Sequence, residues 1–217
     1  MGSVFAPMPS LLQILTQATV HTVIPAGVAF VATNLDDFVL LMVFFSQVPS
    51  RFSHRQIFWG RYLGFAALVV LSLPGFFGGL VLPKAYVGLL GLVPIAIGLR
   101  QLLKREDDAP GQFVLPELPL LNGQVAAIAG ITLANGGDNI GIYVSLFAGQ
   151  TWAELGLTLL VFGVLVALWY WLARGFVGQP GVRDRLTAVG HRLMPLVLIG
   201  LGLFILVDSG TYRLIGL

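Results

Sequence analysis

The sequence predicts an all-α polytopic membrane protein: six transmembrane helices forming two inverted three-helix repeats, with both termini extracytoplasmic. Three observations predict it. Hydrophobic residues make up 57% of the chain and charged residues 10%, with a mean hydropathy of +0.90, against about 45–50% and about 25% in soluble domains. Six apolar runs each approach the ~20 residues that a ~30 Å hydrocarbon layer requires. Two Asn-x-x-Asp motifs, Asn34 to Asp37 and Asn135 to Asp138, recur at an offset of 101 residues.

Residues 1–23 read as a lead-in to the first span. Pro7 and Pro9 precede Ser10, a helix-capping residue type, and Leu11, Leu12, Ile14 and Leu15 form at most a short interfacial turn. No Lys or Arg occurs before Arg51, so a cleavable secretory signal with its basic first region is not expected. The six runs lie at 24–48, 57–82, 84–103, 124–148, 153–177 and 187–213, and Val81-Leu82-Pro83-Lys84 makes a tight link between the second and third. The segment 104–123 carries Glu106, Asp107 and Asp108, then Pro110, Pro116 and Pro119. That composition reads as a solvated cytoplasmic linker, dividing the chain into repeats at 24–103 and 124–217.

Orientation follows from the twelve Lys and Arg. Arg51, Arg55 and Arg61 flank the first connection, and Arg100, Lys104 and Arg105 the third. Arg174, Arg183, Arg185 and Arg192 flank the fifth, so ten lie on one side, leaving Lys84 and Arg213 for the other. By the positive-inside rule the odd connections are cytoplasmic and both ends of the chain are outside. The offset that superposes the two motifs also carries Pro94 onto Pro195. Three spans is an odd number, so the second copy inserts upside down, an arrangement recurrent in transporters with a substrate site at the midplane. A duplicated bundle or membrane scaffold without transport is the plainer alternative, but it leaves the acids unexplained.

A carboxylate at the bilayer centre costs about 2.5–3.5 kcal/mol on insertion scales. Asp36, Asp37 and Asp138 all fall near the middle of such runs, and the expectation is that they face one another in the bundle core and bind a cation. Asn34 and Asp37 share a helix face, as do Thr132, Asn135 and Asp138, with Asn139 at its border. Asp36 is turned about 100° from Asp37, so either it faces a neighbouring span or the helix unwinds. Gly136-Gly137 favours unwinding in the second motif, freeing carbonyls as further ligands. The candidate metal ligands are therefore Asn34, Asp36, Asp37, Asn135, Asp138 and Asn139, with Thr132 as an additional one.

These hard oxygen donors suit Mg²⁺, Ca²⁺ or Mn²⁺. With no cysteine there is no thiolate site and no disulfide. His21, His54 and His191 read as interfacial, and Met42 as a core residue rather than a thioether ligand. Asp208 reads as an interfacial residue or an exit ligand, and Glu154 as solvent-facing. Like charges drawn together away from water hold protons when no cation is present and release them when one enters, which is a physical route to antiport.

The net charge of +2 without a basic tail gives no reason to expect nucleic acid. No cofactor is expected; the partners are membrane lipid, the transported ion and protons. The small-residue stripes Gly75, Gly79 and Gly141, Ser145, Gly149 serve close helix packing, and such stripes leave room for a homodimer. Trp152, Trp169, Tyr170 and Trp171 fit aromatic belts or packing. An enzyme alternative is an intramembrane aspartyl protease with Asp37 and Asp138 as its dyad. Position 135 is Asn, however, where the protease pattern Gly-x-Gly-Asp requires Gly.

The run Asn34-Leu35-Asp36-Asp37-Phe38-Val39-Leu40-Leu41, then Phe44-Phe45, and later Gly137-Asp138-Asn139-Ile140-Gly141-Ile142-Tyr143 resembles the cadmium-resistance transporter (Cad) family of the lysine-exporter (LysE) superfamily of small six-span exporters. The resemblance implies export of a divalent metal, Cd²⁺ for the members that named the family, at the plasma (inner) membrane. It assigns metal binding to Asp36, Asp37, Asp138 and Asn139. Cadmium prefers softer donors than this sequence offers, so Mn²⁺ or Mg²⁺ stays open beside it.

Overall fold

The computed structural model describes residues 18–103, 123–179 and 181–211, with backbone alone for 182–192. The lead-in before residue 18, most of the linker (104–122), Arg213 and the side chains of Arg183, Arg185, His191 and Arg192 lie outside the described residues. Among the described residues every element is helical. Helix α1 covers Thr19–Thr33 and α2 Leu35–Ser46. They are followed by α3 (His54–Val81), α4 (Lys84–Leu103), α5 (Gln124–Asn135), α6 (Asn139–Ala148), α7 (Trp152–Phe176) and α8 (Val182–Asp208).

Helices α3, α4 and α7 are long and apolar enough to cross a membrane, and α1 with α2 makes a fourth span if the bent pair is counted as one. Two of the six apolar runs are thus not straight helices. The first bends by 56° between α1 and α2 at Asn34, whose φ of −119° and ψ of 17° leave the helical region. The fourth breaks over Gly136 to Asp138, separating α5 from α6. Both interruptions fall on the Asn-x-x-Asp motifs. Asn and Asp compete with the backbone for its own hydrogen bonds, and glycine weakens a helix by about 1 kcal/mol relative to Ala.

The two long helices after the breaks start the same way. Ser53 and Gln56 form a capping box at α3, and Thr151 and Glu154 form one at α7, each satisfying backbone N–H groups that a helix start leaves free. Glu154 is therefore a cap, its carboxylate taking hydrogen bonds from Thr151 N and Oγ1 at 2.7 and 2.8 Å.

Helix α3 lies along both α5 and α6, α7 lies along α1 and α2, and α4 packs on α8. Glycines permit these approaches. A Cβ at Gly64 would stand 2.6 Å from both Ala129 O and Thr132 Cβ, and one at Gly79 would strike the carbonyl of Ala148. The α4–α8 crossing runs through Gly91 and Gly202, each beside the other's carbonyl. The stripes at 75/79 and 141/145 are thus covered within the chain itself. Pro94, lacking an N–H, cannot bond the carbonyl of Leu90, and Ser145 Oγ donates to that carbonyl instead at 2.8 Å.

Apolar packing surrounds the first break. Phe30 meets Phe65, Phe162 and Trp169 with ring centroids 5.5–5.8 Å apart, and beyond the break Phe38, Met42, Phe44, Phe45 and Tyr170 form a second buried cluster. Met42 is a core residue, as expected. Adjacent glycines of α3 give a direct test: Gly79→Ala is expected to lose about 1–3 kcal/mol through overpacking, read as a lower melting temperature in detergent. Gly78→Ala, with open space at its Cβ, is expected to be neutral or gain up to about 1 kcal/mol.

Candidate cation site

The first break is held by side chains from four other segments of the bundle. Asn34 and Asp37 are fully buried. Asn34 Nδ2 lies within hydrogen-bond distance of Phe30 O (2.9 Å), Thr33 Oγ1 (2.8 Å) and Tyr143 Oη (2.8 Å). The carbonyl of Asn34 accepts from Trp169 Nε1 of α7 at 2.8 Å. From α3, Arg61 donates Nη1 to Asp37 Oδ2 at 2.6 Å and Nη2 to Asn34 Oδ1 at 2.7 Å. Its side chain is 1% exposed.

The two breaks meet through Asn135. Its Nδ2 donates to Asp36 Oδ2 at 2.9 Å and to Asp37 Oδ1 at 2.8 Å. Asp36 Oδ1 also accepts from the backbone N–H of Asp37. Asp36 and Asp37 sit in the first turn of α2, and Asp138 is the residue before α6. Helix N-termini favour negative charge, so each broken helix presents its positive end to an acid. Asp138 lies near enough that its charge acts on Asp36 and Asp37.

The three acids are not enclosed together in the core, as the sequence suggested. Asp37 is sealed, whereas Asp36 and Asp138 are exposed with protein on most sides of each. The reason is angular: neighbouring residues on a helix diverge by about 100°, and the inward direction is taken by Asp37 and its guanidinium. Among the described residues no group of three or more His, Cys, Asp or Glu could hold a metal. A cation between the breaks therefore relies on amide or carbonyl oxygens beside the carboxylates.

Thr132 and Asn139 are buried at 0% and 3% exposure, on the side of the second break that faces α3. A Cβ at Gly64 would touch Thr132, and a Cβ at Gly136 would lie 3.1 Å from Asn139 Nδ2 and against Leu68. Among the described residues Thr132 Oγ1, Asn139 Nδ2 and Arg61 Nε have no hydrogen-bond partner, an uncommon situation for buried polar atoms.

His21 and Asp208 lie apart from this site: His21 Nδ1 is 2.9 Å from Asp208 Oδ1, with both side chains about half exposed. His54 packs its ring on Phe45.

The sequence sets Arg61 among the charges flanking the first connection, and the structure does not. Counted as a flanking charge, it is instead inside the bundle, which reduces the ten-to-two orientation bias to nine to two. The signal was present, because Arg61 stands within the apolar run 57–82, and an arginine there needs a carboxylate partner from another span.

A family model described as Cad, cadmium resistance transporter, matches residues 30–216. No curated protein and no solved structure matches the chain.

The clasp around Asn34 can be tested without touching a charge. Tyr143→Phe removes one hydroxyl from a site where Asn34 Nδ2 keeps two other acceptors. It is expected to cost about 0.5–1.5 kcal/mol, read as a modest fall in thermal stability with the fold intact.

Proposed function

The chain belongs to the cadmium-resistance transporter family, and we propose that it exports a divalent metal cation from the cytoplasm by alternating access at the paired helix breaks. The single observation that carries this reading is the side chain of Asn135, which bonds both Asp36 and Asp37. It draws the second motif onto the first, so that one ion meets oxygens from both halves. Asp36, Asp138, Asn135 and Asn139, with Thr132, supply that oxygen-rich site, and Asn34 and Asp37, whose side-chain oxygens are bonded to Arg61 and Asn135, support it without contacting the ion. Exposure of Asp36 and Asp138 supports entry of an ion from water on one side.

The proposed arrangement is six spans in two inverted repeats in the plasma membrane, both termini outside. Helix pairing supports it: α3 runs along the broken α5–α6 as α7 runs along the broken α1–α2. Leu68 of α3 borders the second break and Trp169 of α7 the first, and these two positions are themselves 101 residues apart. A non-transporting scaffold has no such observation in its favour. An aspartyl protease dyad needs two carboxyls sharing a proton, and the carboxylate of Asp37 is bonded to Arg61 and Asn135.

The donors are carboxylate and amide oxygens, which suit Mn²⁺ or Mg²⁺ better than the softer Cd²⁺ of the family name. Proton antiport is the proposed coupling, the acids taking protons as the ion leaves. Inside-out vesicles test all of this together. Cd²⁺, Mn²⁺, Mg²⁺ and Ca²⁺ uptake is measured with and without an acidic lumen, and the acidic lumen is expected to accelerate uptake of the transported ion while protons leave. Uptake that ignores the gradient and moves no protons removes the coupling; no uptake of any of the four removes the transport reading. Asp138→Asn is expected to abolish both uptake and metal-dependent thermal stabilisation.

A further inference from the structure

Arg61 is a buried cation that the transport reading above does not use. A buried ion pair is poor evidence of a stability device, because apolar residues of similar volume serve as well or better in its place. The 101-residue offset carries Arg61 onto Phe162, a member of the apolar core, so this charge belongs to one repeat only. Its position is specific. The guanidinium fork holds Asp37 Oδ2 and Asn34 Oδ1 together, two of the three side-chain oxygens that Asn34 and Asp37 would offer an ion. Asp37 Oδ1 is already bonded to Asn135.

We propose that Arg61 sets the charge of the cation site. By balancing Asp37 it leaves Asp36 and Asp138 as the negative charge that an entering cation meets, which matches a divalent ion. Three carboxylates and one guanidinium sum to −2. Among the described residues, Asp37 and Arg61 are the buried charged side chains. Besides Asp36 and Asp138, the polar side chains around them are neutral: Asn34 and Asn135 bond the pair directly, and Tyr143 bonds Asn34. The Asp37–Arg61 pair is thus a fixed neutral unit that aligns Asn34 and Asn135, and the ion is held by the exposed acids beside it. This inference rests on the transport reading and deepens it.

The assignment gives opposite signs for the two single variants and recovery for the double. Equilibrium binding of Cd²⁺ and Mn²⁺, with La³⁺ as competitor, is measured on the full chain in detergent, with size-exclusion behaviour as the check on folding. Asp37→Asn leaves the guanidinium unbalanced and is expected to weaken divalent binding by about tenfold or more, whereas Arg61→Gln leaves a third negative charge and shifts preference toward La³⁺ by about tenfold. The double variant, Asp37→Asn with Arg61→Gln, restores the net charge and is expected to bind within about threefold of the unaltered protein.

A folded double variant that binds as weakly as Asp37→Asn alone makes Asp37 a ligand of the ion and overturns the inference. A double variant that does not fold makes the pair structural and overturns it equally. If Arg61→Gln alone fails to fold, the comparison of Asp37→Asn with the double still decides. Unaltered protein that binds neither metal removes the transport reading along with this one, whereas binding without recovery in the double removes this inference alone.

Discussion

Charge balance away from water is the constraint that the site answers to: a guanidinium closed off from solvent is forked onto Asp37 and Asn34. Neither charge survives alone at that depth: a carboxylate left there without a partner costs several kcal/mol. The partner must come from another helix, and α3 can bring Arg61 close because glycine at 60 and 64 lets it lie against α5. Close packing and charge pairing are therefore one constraint. The glycines set the distance at which the helix surfaces meet, and the ion pair leaves no net charge sealed between them.

The same constraint explains why the helices break where they do. Asn34 serves a carbonyl to Trp169, an amide oxygen to Arg61 and amide hydrogens to α1 and Tyr143. An asparagine in a regular helix could not reach so many directions. The 56° bend leaves its carbonyl free to meet Trp169 of α7 while its side chain meets Arg61 and Tyr143. At the second break no buried cation is present among the described residues, and the glycines at 136 and 137 do the equivalent work by weakening the helix outright. Two different sequences thus produce a comparable interruption in each half.

Much of this was legible in the residues, and what was not has identifiable causes. Long apolar runs gave the helices, because desolvation dominates their position; the run at 84–103 coincides with α4. Gly136-Gly137 forecast an unwound segment, since low helix propensity is local. The angle between Asp36 and Asp37 posed a choice between a neighbouring partner and a break, and both occur: the chain breaks at Asn34, and Asp36 turns to Asn135. The sealing of Asp37 was not legible, because it depends on which residue lies across the interface, and that is a matter of tertiary packing. Arg61 was misread because position 61 is close enough to Arg51 and Arg55 to pass for a member of a flanking cluster.

Trp169 has a use that reaches past packing. Its indole is partly buried and hydrogen-bonded at the bend, whereas Trp59, Trp152 and Trp171 are 58%, 65% and 60% exposed. A change of angle between α1 and α2 stretches or releases that indole bond, which joins Trp169 to the carbonyl at the bend. The protein consequently carries its own spectroscopic reporter, since intrinsic emission can follow the conformation of the bend in real time without an added dye.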